Sequence, residues 1–196
     1  MPLKIIGAGF GRTGTESEAI YKESNECPGG LVWNKRGTTV IGNGIGSGPD
    51  QLYLPNGIFI EPKTHILYVA DIYLDYLFYG GNGAGINPYQ LNGPTGLYYD
   101  EQNQILYLSN EQSHSITQWV LGDYEPRNIY AGIPGRSGNS AAQLFYPEGI
   151  TLDKYGNLYV TDTSNHRIQM FFPDAILGIT IADVMPESMF VLTLQV

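Results

Sequence analysis

An all-β fold is predicted for this chain by its turn-rich composition and by a unit of short strands that recurs. The 196 residues include 25 Gly and 12 Pro, a composition typical of many short strands joined by turns. Residues 42–57 and 81–96 share the pattern Gly-Asn-Gly-x-Gly-x-x-Pro-x-Gln-Leu-x-x-Pro-x-Gly, and its last part, Gln-Leu-x-x-Pro-x-Gly, occurs again at 143–149. The sequence therefore predicts three copies of one β unit.

Each copy begins with two short strands around a polar turn. In the first strands apolar residues alternate with other residues, as at Ile150 and Leu152, which is the period of a strand. The second strands are apolar on both faces, as at Tyr107 and Leu108, which indicates a strand covered on both sides. The predicted pairs are 55–61 with 66–71, 94–100 with 105–110, and 147–153 with 158–162.

Further strands follow in each copy. Third strands are predicted at 115–120 and 167–172, and fourth strands at 128–131 and 178–182, with an equivalent strand near the front at 38–41. The first copy has too few residues between Asp71 and Gly81 for two strands and a turn, so we predict a single strand at 72–79 and a three-stranded first sheet.

Four-stranded meanders repeated around an axis are the architecture of a β-propeller. The predicted fold class is therefore all-β, a partial β-propeller of about three blades. Closed propellers use about 4 to 8 blades, so the ring is expected to be incomplete. A truncated product, an open arc capped by its own termini and a homodimer that completes six blades all remain open.

The third copy resembles the NHL repeat, and the sequence Asn165-His166-Arg167 stands at the signature position. The second copy has Ser113-His114-Ser115 there, and the first copy lacks the signature. The resemblance covers about residues 37–183 and implies a propeller, usually six-bladed, that serves as a platform for protein, RNA or small ligands. Some members of the family are lyases or hydrolases.

The segments that flank the repeats are treated as separate. Residues 1–36 are atypical: a strand runs into Gly9-x-Gly11-x-x-Gly14, which fits a dinucleotide fingerprint, and residues 1–15 more closely resemble the start of a P-loop sulfotransferase family. A helix is expected over about 16–24, but no second βα unit follows. A structural role or a chimeric gene model is therefore preferred over nucleotide or sulfonate-donor binding. Residues 184–196 form a tail, either a strand that covers the last blade or unrelated sequence.

Repeated small and polar residues are the candidate signature positions. Gly57, Gly96 and Gly149 suit places where backbones crowd together. Short polar residues end the second strands, where they accept backbone N–H groups, and His114 and His166 are expected in turns rather than on a metal. Arg167 is expected to pair with a carboxylate. The signature set is Gly57, Gly96, Gly149, Asp71, Asn110, Asp162, Asn165, His166 and Arg167.

Charge and cysteine content exclude several classes of function. The chain has 19 acidic residues against 10 Lys and Arg, a net charge of −9, which argues against nucleic acid as a partner. One cysteine, Cys27, excludes an intramolecular disulfide and a multi-thiolate zinc site. Neither a signal peptide nor an apolar run of the ~18 residues that span a membrane is visible, and the compartment is not predicted.

The preferred function is a non-catalytic binding platform for a protein or small ligand, without cofactor or metal. One alternative is an enzyme of the amidating-lyase or lactonase kind with a divalent metal. RNA binding is the other alternative, and calcium at the strand-end carboxylates is a minor one.

Overall fold

The computed structural model describes residues 3–7, 39–46, 51–72, 83–121 and 126–183. Within them the chain forms eleven strands and one turn of 3₁₀ helix at Thr163–Asn165. The strands are β1 (Leu3–Gly7), β2 (Pro55–Ile60), β3 (Leu67–Asp71), β4 (Pro94–Asp100), β5 (Ile105–Asn110), β6 (Ser115–Val120), β7 (Pro126–Gly132), β8 (Pro147–Leu152), β9 (Leu158–Asp162), β10 (Arg167–Phe171) and β11 (Ile179–Asp183).

The strands form three sheets, which confirms the predicted all-β class and the four-stranded meanders. Sheet 1 has the order β1-β3-β2, sheet 2 the order β4-β5-β6-β7, and sheet 3 the order β11-β10-β9-β8. Sheets 2 and 3 are antiparallel throughout. The architecture is that of a partial propeller.

One predicted strand is wrong where the structure describes it. Residues 39–41 form bends rather than a strand, and the side chain of Val40 is 68% exposed. An edge strand needs a neighbour to pair with its backbone, and although Ile41 packs against Val69 of β3, no described strand pairs with residues 39–41. The predicted helix at 16–24, the tail at 184–196 and all but the first residue of the strand expected at 72–79 lie outside the described residues.

Sheet 1 contains a strand that the sequence did not assign to it. Strand β1 pairs in parallel with β3, from Leu3 opposite Leu67 to Gly7 opposite Asp71. It lies on the side of β3 away from β2, the position that β6 takes beside β5 in sheet 2. The start of the atypical N-terminal segment is thus part of the first sheet.

The sheets pack face to face with their first strands side by side. The ring of Phe59 lies 4.8 Å from that of Tyr99, and Leu97 packs against Gly57. Gly57 lies beside Leu97, and Phe59, two residues later, lies beside Tyr99. Strands β2 and β4 therefore run in the same direction. Strands β4 and β8 also run in the same direction, since Thr95 lies against the Pro147 carbonyl and Gly96 against the Glu148 carbonyl. All three first strands therefore begin at the same end of the molecule.

Each joint between sheets encloses its own core. Tyr68, Leu91, Leu106, Leu108 and Trp119 fill the joint between sheets 1 and 2, and Ile116, Ala131, Leu144, Leu158, Val160 and Phe171 fill the joint between sheets 2 and 3. Burying one such large side chain is worth about 1.5–3 kcal/mol. Strand β5 is buried along its whole length, which confirms for it the prediction that second strands are covered on both faces. The prediction is wrong for β9, whose Tyr159 is half-buried and whose Thr161 is exposed, because no described sheet packs on its outer face.

In the described part of the chain, no helix has the length and apolar character needed to cross a membrane.

Candidate binding surface

The repeated glycines mark the joints between sheets. A Cβ at Gly57 would overlap the carbonyl oxygen of Thr95, and one at Gly96 would overlap that of Glu148. In both places the backbone of the next sheet occupies the space of a side chain, so only glycine fits. The third signature glycine, Gly149, is exposed and meets nothing closer than the Thr161 side chain, 3.2 Å from the Cβ position.

The polar residues that end the second strands anchor the loops that lead into the first strands. Asp71 accepts the backbone N–H groups of Tyr53 and Leu54 at 2.8 and 3.1 Å. Asn110 and Asp162 accept equivalent groups, from Asn92 at 3.3 Å and from Phe145 at 2.6 Å. All three anchors are fully buried, so these oxygens serve the fold.

Arg167 and Asn165 clasp the loop before β8. The guanidinium Nε donates to Asp162 Oδ2 at 2.7 Å, and its terminal nitrogens donate to the carbonyls of Asn139, Ser140 and Gln143 at 2.8 to 3.0 Å. Asn165 donates to the Gly138 carbonyl and to Asp162, each at 2.8 Å. Two signature residues therefore shape a loop.

The three histidines occupy turns with left-handed backbone. His65, His114 and His166 have φ values of 56°, 58° and 55°. His166 is exposed, whereas His114 is half-buried and its Nδ1 accepts the Tyr146 N–H at 3.3 Å. The histidines at the repeat position are thus turn residues, and one of them also holds sheet 3 against sheet 2.

A second kind of glycine contact was not predicted from the sequence. A Cβ at Gly46, Gly85 or Gly138 would overlap the side-chain amide of the glutamine five positions later in the chain. These glutamines are Gln51, Gln90 and Gln143. The signal was present, since the Gly-to-Gln spacing recurs in all three copies, but a spacing alone does not say which atoms meet.

The loops before β2, β4 and β8, together with turns 111–114 and 163–166, form one end of the molecule, which we call the entry surface. Its loops expose many large apolar side chains: Val40, Ile45, Tyr53, Leu54, Ile86, Tyr89, Ile133 and Tyr146. The turns at the other end (61–66, 101–104, 153–157 and 172–178), called the exit turns, expose four such side chains: Tyr155, Phe172, Ile176 and Leu177. All four belong to turns of sheet 3, whereas those of the entry surface recur on the loops before all three sheets.

The entry surface is acidic between sheets 2 and 3. Burial raises the pKa of the Glu111 carboxyl, and the nearby charge of Glu148 raises it further. Burial also lowers the pKa of His114, although a backbone hydrogen bond with Glu111 and the charge of Asp162 act in the opposite direction. Lys63 and Lys154 lie in the exit turns.

Within the described residues, no group of three or more His, Cys, Asp or Glu side chains is placed to hold a metal ion.

These contacts follow the repeat, and one copy matches a known family. Residues 146–171 match the family model of the NHL repeat. The match begins in the loop before β8 and ends with β10, so it includes the anchor Asp162 and the Asn165 and Arg167 clasp. No curated protein matches the chain.

Proposed function

We propose that the chain is a non-catalytic binding module whose entry surface docks a segment of a protein partner. One observation carries the proposal: exposed tyrosine and aliphatic side chains recur on equivalent loops of all three sheets and face the same end. Tyr53, Tyr89 and Tyr146 represent the three loops and are 49%, 47% and 37% exposed. Exposed apolar residues grouped on one face are typical of an interaction site.

The role of the signature residues supports binding over catalysis. Asp71, Asn110 and Asp162 direct their oxygens at backbone N–H groups, and Arg167 directs its nitrogens at carbonyls and at Asp162. Residues fixed in this way hold loops in place. The rigid scaffold that results suits loops that carry the recognition residues.

Charge supports a partner segment with apolar and basic side chains. Glu111 and Glu148 place negative charge beside the aromatic loops. The charge of Glu148 raises the pKa of Glu111, and an incoming Lys or Arg would offset this repulsion. Lys63 and Lys154 lie in the exit turns, and Arg136 is the one arginine exposed on the described entry surface. So few basic side chains speak against a phosphate backbone there, because phosphate contacts need several of them.

Selection of a displayed library of short random peptides against the full chain tests the proposal. We expect the selected peptides to be rich in aromatic or aliphatic residues with Lys or Arg. Binding should fall by tenfold or more in Tyr146→Ser, about 1.4 kcal/mol or more. Tyr155→Ser, which changes an exposed tyrosine of the exit turns, is the matched control and should bind as the wild type does.

Equal loss of binding in both tyrosine variants, or selected peptides that are acidic, would contradict the proposed surface. A melting temperature for Tyr146→Ser close to that of the wild type would show that lost binding is not lost folding. Measurable turnover of a peptide or lactone substrate that required an added divalent metal would favour the enzyme alternative.

A further inference from the structure

The two joints inside the chain are built from the same parts. At each one, a backbone carbonyl oxygen of one sheet lies against the signature glycine of the preceding sheet. The Thr95 carbonyl lies against Gly57, and the Glu148 carbonyl lies against Gly96. Thr95 and Glu148 each stand directly before the signature glycine of their own sheet. At the second joint, Ser109 Oγ accepts the Gly96 N–H at 2.7 Å and donates to the Glu148 carbonyl at 2.5 Å. The hydroxyl thus connects the two halves of the joint.

The outer face of sheet 3 has the receiving half of this joint. Thr161 stands where Ser109 stands in sheet 2, and its Oγ1 accepts the Gly149 N–H at 2.7 Å. Thr161 Oγ1 also lies 3.3 Å from the Gly149 carbonyl oxygen. Ser109 Oγ makes the equivalent contact with the Gly96 carbonyl oxygen at 3.4 Å. Both Gly149 and Thr161 are exposed, and no carbonyl of another described sheet reaches them.

Apolar side chains surround this receiving half, as they do at the internal joints. Ile168 and Tyr159 are half-buried, whereas Ile116 and Tyr107, the equivalent residues of sheet 2, are buried beneath sheet 3. Ile179 pairs with Met170 on the same face and is 48% exposed. The face is therefore shaped for another sheet.

The outer face of sheet 1 has the inserting half. Asn56 stands where Thr95 and Glu148 stand, between the proline and the glycine of its first strand. Ile58 and Ile60 follow at alternate positions, equivalent to Ile150 and Leu152, which pack against the core of the second joint. Both isoleucines of sheet 1 are exposed, at 70% and 49%.

We infer that sheet 3 of one copy of this chain receives sheet 1 of a second copy, in the geometry of the two internal joints. The Asn56 carbonyl of the second copy lies on Gly149 and accepts the Thr161 hydroxyl, while Ile58 and Ile60 cover the apolar face. Because the two faces differ, the contact is head-to-tail, and it closes only if the rotation permits.

The number of sheets selects a dimer. Each chain contributes three sheets, so two copies make 3 + 3 = 6 sheets, within the range of about four to eight that closed propellers use. Three copies would make nine and exceed that range. The closed dimer has two identical joints related by a two-fold axis, and both entry surfaces lie on one end of the ring.

Light scattering of the full chain during size-exclusion chromatography tests this inference, with three variants. The wild type should elute with twice the chain mass. Gly149→Val fills the receiving half, and Ile58→Asp places a charge in the inserting half, so each should give the monomer mass. Ala141→Val changes an exposed residue of the loop before β8. This variant is the control and should remain dimeric.

Mixing the two interface variants distinguishes this joint from other contacts. A Gly149→Val chain keeps its sheet 1 face, and an Ile58→Asp chain keeps its sheet 3 face, so the mixture retains one intact joint and should recover the dimer mass. A symmetric contact of sheet 3 with sheet 3 would give no recovery. A monomeric wild type up to high micromolar concentration, or dimers that survive both substitutions, would overturn the inference.

A milder variant keeps the test valid if Gly149→Val fails to fold. Thr161→Ala removes an exposed hydroxyl from each of the two joints, and each loss should weaken dimerisation by about five- to tenfold, the worth of one net hydrogen bond. Its circular dichroism spectrum should match that of the wild type. An unchanged dissociation constant would contradict the assigned hydrogen bond to Asn56.

Discussion

Arg167 makes the densest set of polar contacts among the signature residues. Its side chain is 10% exposed and faces Asp162, which is fully buried, and it also holds three loop carbonyls. Removing one partner of a buried ion pair leaves an uncompensated charge, which costs more than the pair itself contributes. The loop before β8 is therefore held mainly by this guanidinium, together with Asn165 and Asp162.

Arg167→Met should lower the free energy of unfolding by about 3–5 kcal/mol, because Asp162 then stays buried without its cation. Urea unfolding followed by tryptophan fluorescence measures the change. Arg136→Met alters an exposed arginine of the same loop and should change the stability by less than about 0.5 kcal/mol. Equal effects of the two substitutions would contradict the clasp.

His114 makes the stability of the chain depend on pH. Its Nδ1 accepts a hydrogen bond from Tyr146, and its ring packs edge-on against Phe145 and Tyr146, with centroids 5.5 and 4.9 Å away. Burial lowers its pKa, so the folded chain prefers the neutral imidazole. Its contribution is complete above the unfolded value of about 6.5 and is lost as the pH falls below it.

We expect the wild type to lose more stability than His114→Asn between about pH 7.5 and pH 5.5, because only the wild type must protonate this ring. Asparagine keeps an acceptor and tolerates the left-handed backbone of this turn. Denaturation midpoints of both proteins at the two pH values measure the difference. Glu111, Asp162 and the other histidines are present in both proteins, so their titration does not contribute to the comparison. Parallel pH dependence would contradict the assigned role.

At the scale of the strands, the glycine joints decide how closely the sheets approach. Gly96→Ala introduces a methyl group where the Glu148 carbonyl lies, and the sheets must separate. We expect a loss of about 1–3 kcal/mol in the free energy of unfolding, as for other overpacked positions. Chemical denaturation of dilute protein measures it.

The matched control for this element is Gly149→Ala. In dilute protein, where the chains are monomeric, the new Cβ meets only Thr161 at 3.2 Å, so the cost should be below about 1 kcal/mol, and relief of glycine's backbone entropy acts in the favourable direction. A loss equal to that of Gly96→Ala would show that the outer face of sheet 3 is covered within a single chain.

The repeated sequence made most of these strands predictable. Strands β4, β5, β6 and β9 have the predicted bounds, because alternation of apolar residues and turn residues act locally. The pairing of β1 with β3 was not predictable, since a parallel contact between distant segments leaves no local pattern. Residues 39–41 carry a strand-like sequence, but no strand in the described part of the chain pairs with them.

The candidate surface was less predictable than the fold. The sequence indicated which residues repeat, and Gly57 and Gly96 lie where two backbones meet. It could not show that Gly149, with the same motif, is open, because that depends on which sheet stands next to it. Nor could it show that Tyr53, Tyr89 and Tyr146 share one end, which follows from the common direction of the first strands.

In the whole molecule, the residues that hold the sheets and loops in place differ from those proposed to bind a partner. The buried anchors and the Arg167 clasp fix the loops, the two outer faces carry the halves of a third joint, and the entry surface presents tyrosines and carboxylates. We propose that binding occurs at the entry surface.

Hydrogen–deuterium exchange of the chain with a selected peptide tests that claim most directly. We expect the peptide to slow amide exchange in the loops at 51–54, 90–93 and 143–146, because bound side chains exclude water from the backbone beside the exposed tyrosines. Exchange in the turns at 61–66, 101–104 and 153–157 should not change. Protection confined to these exit turns would contradict the account.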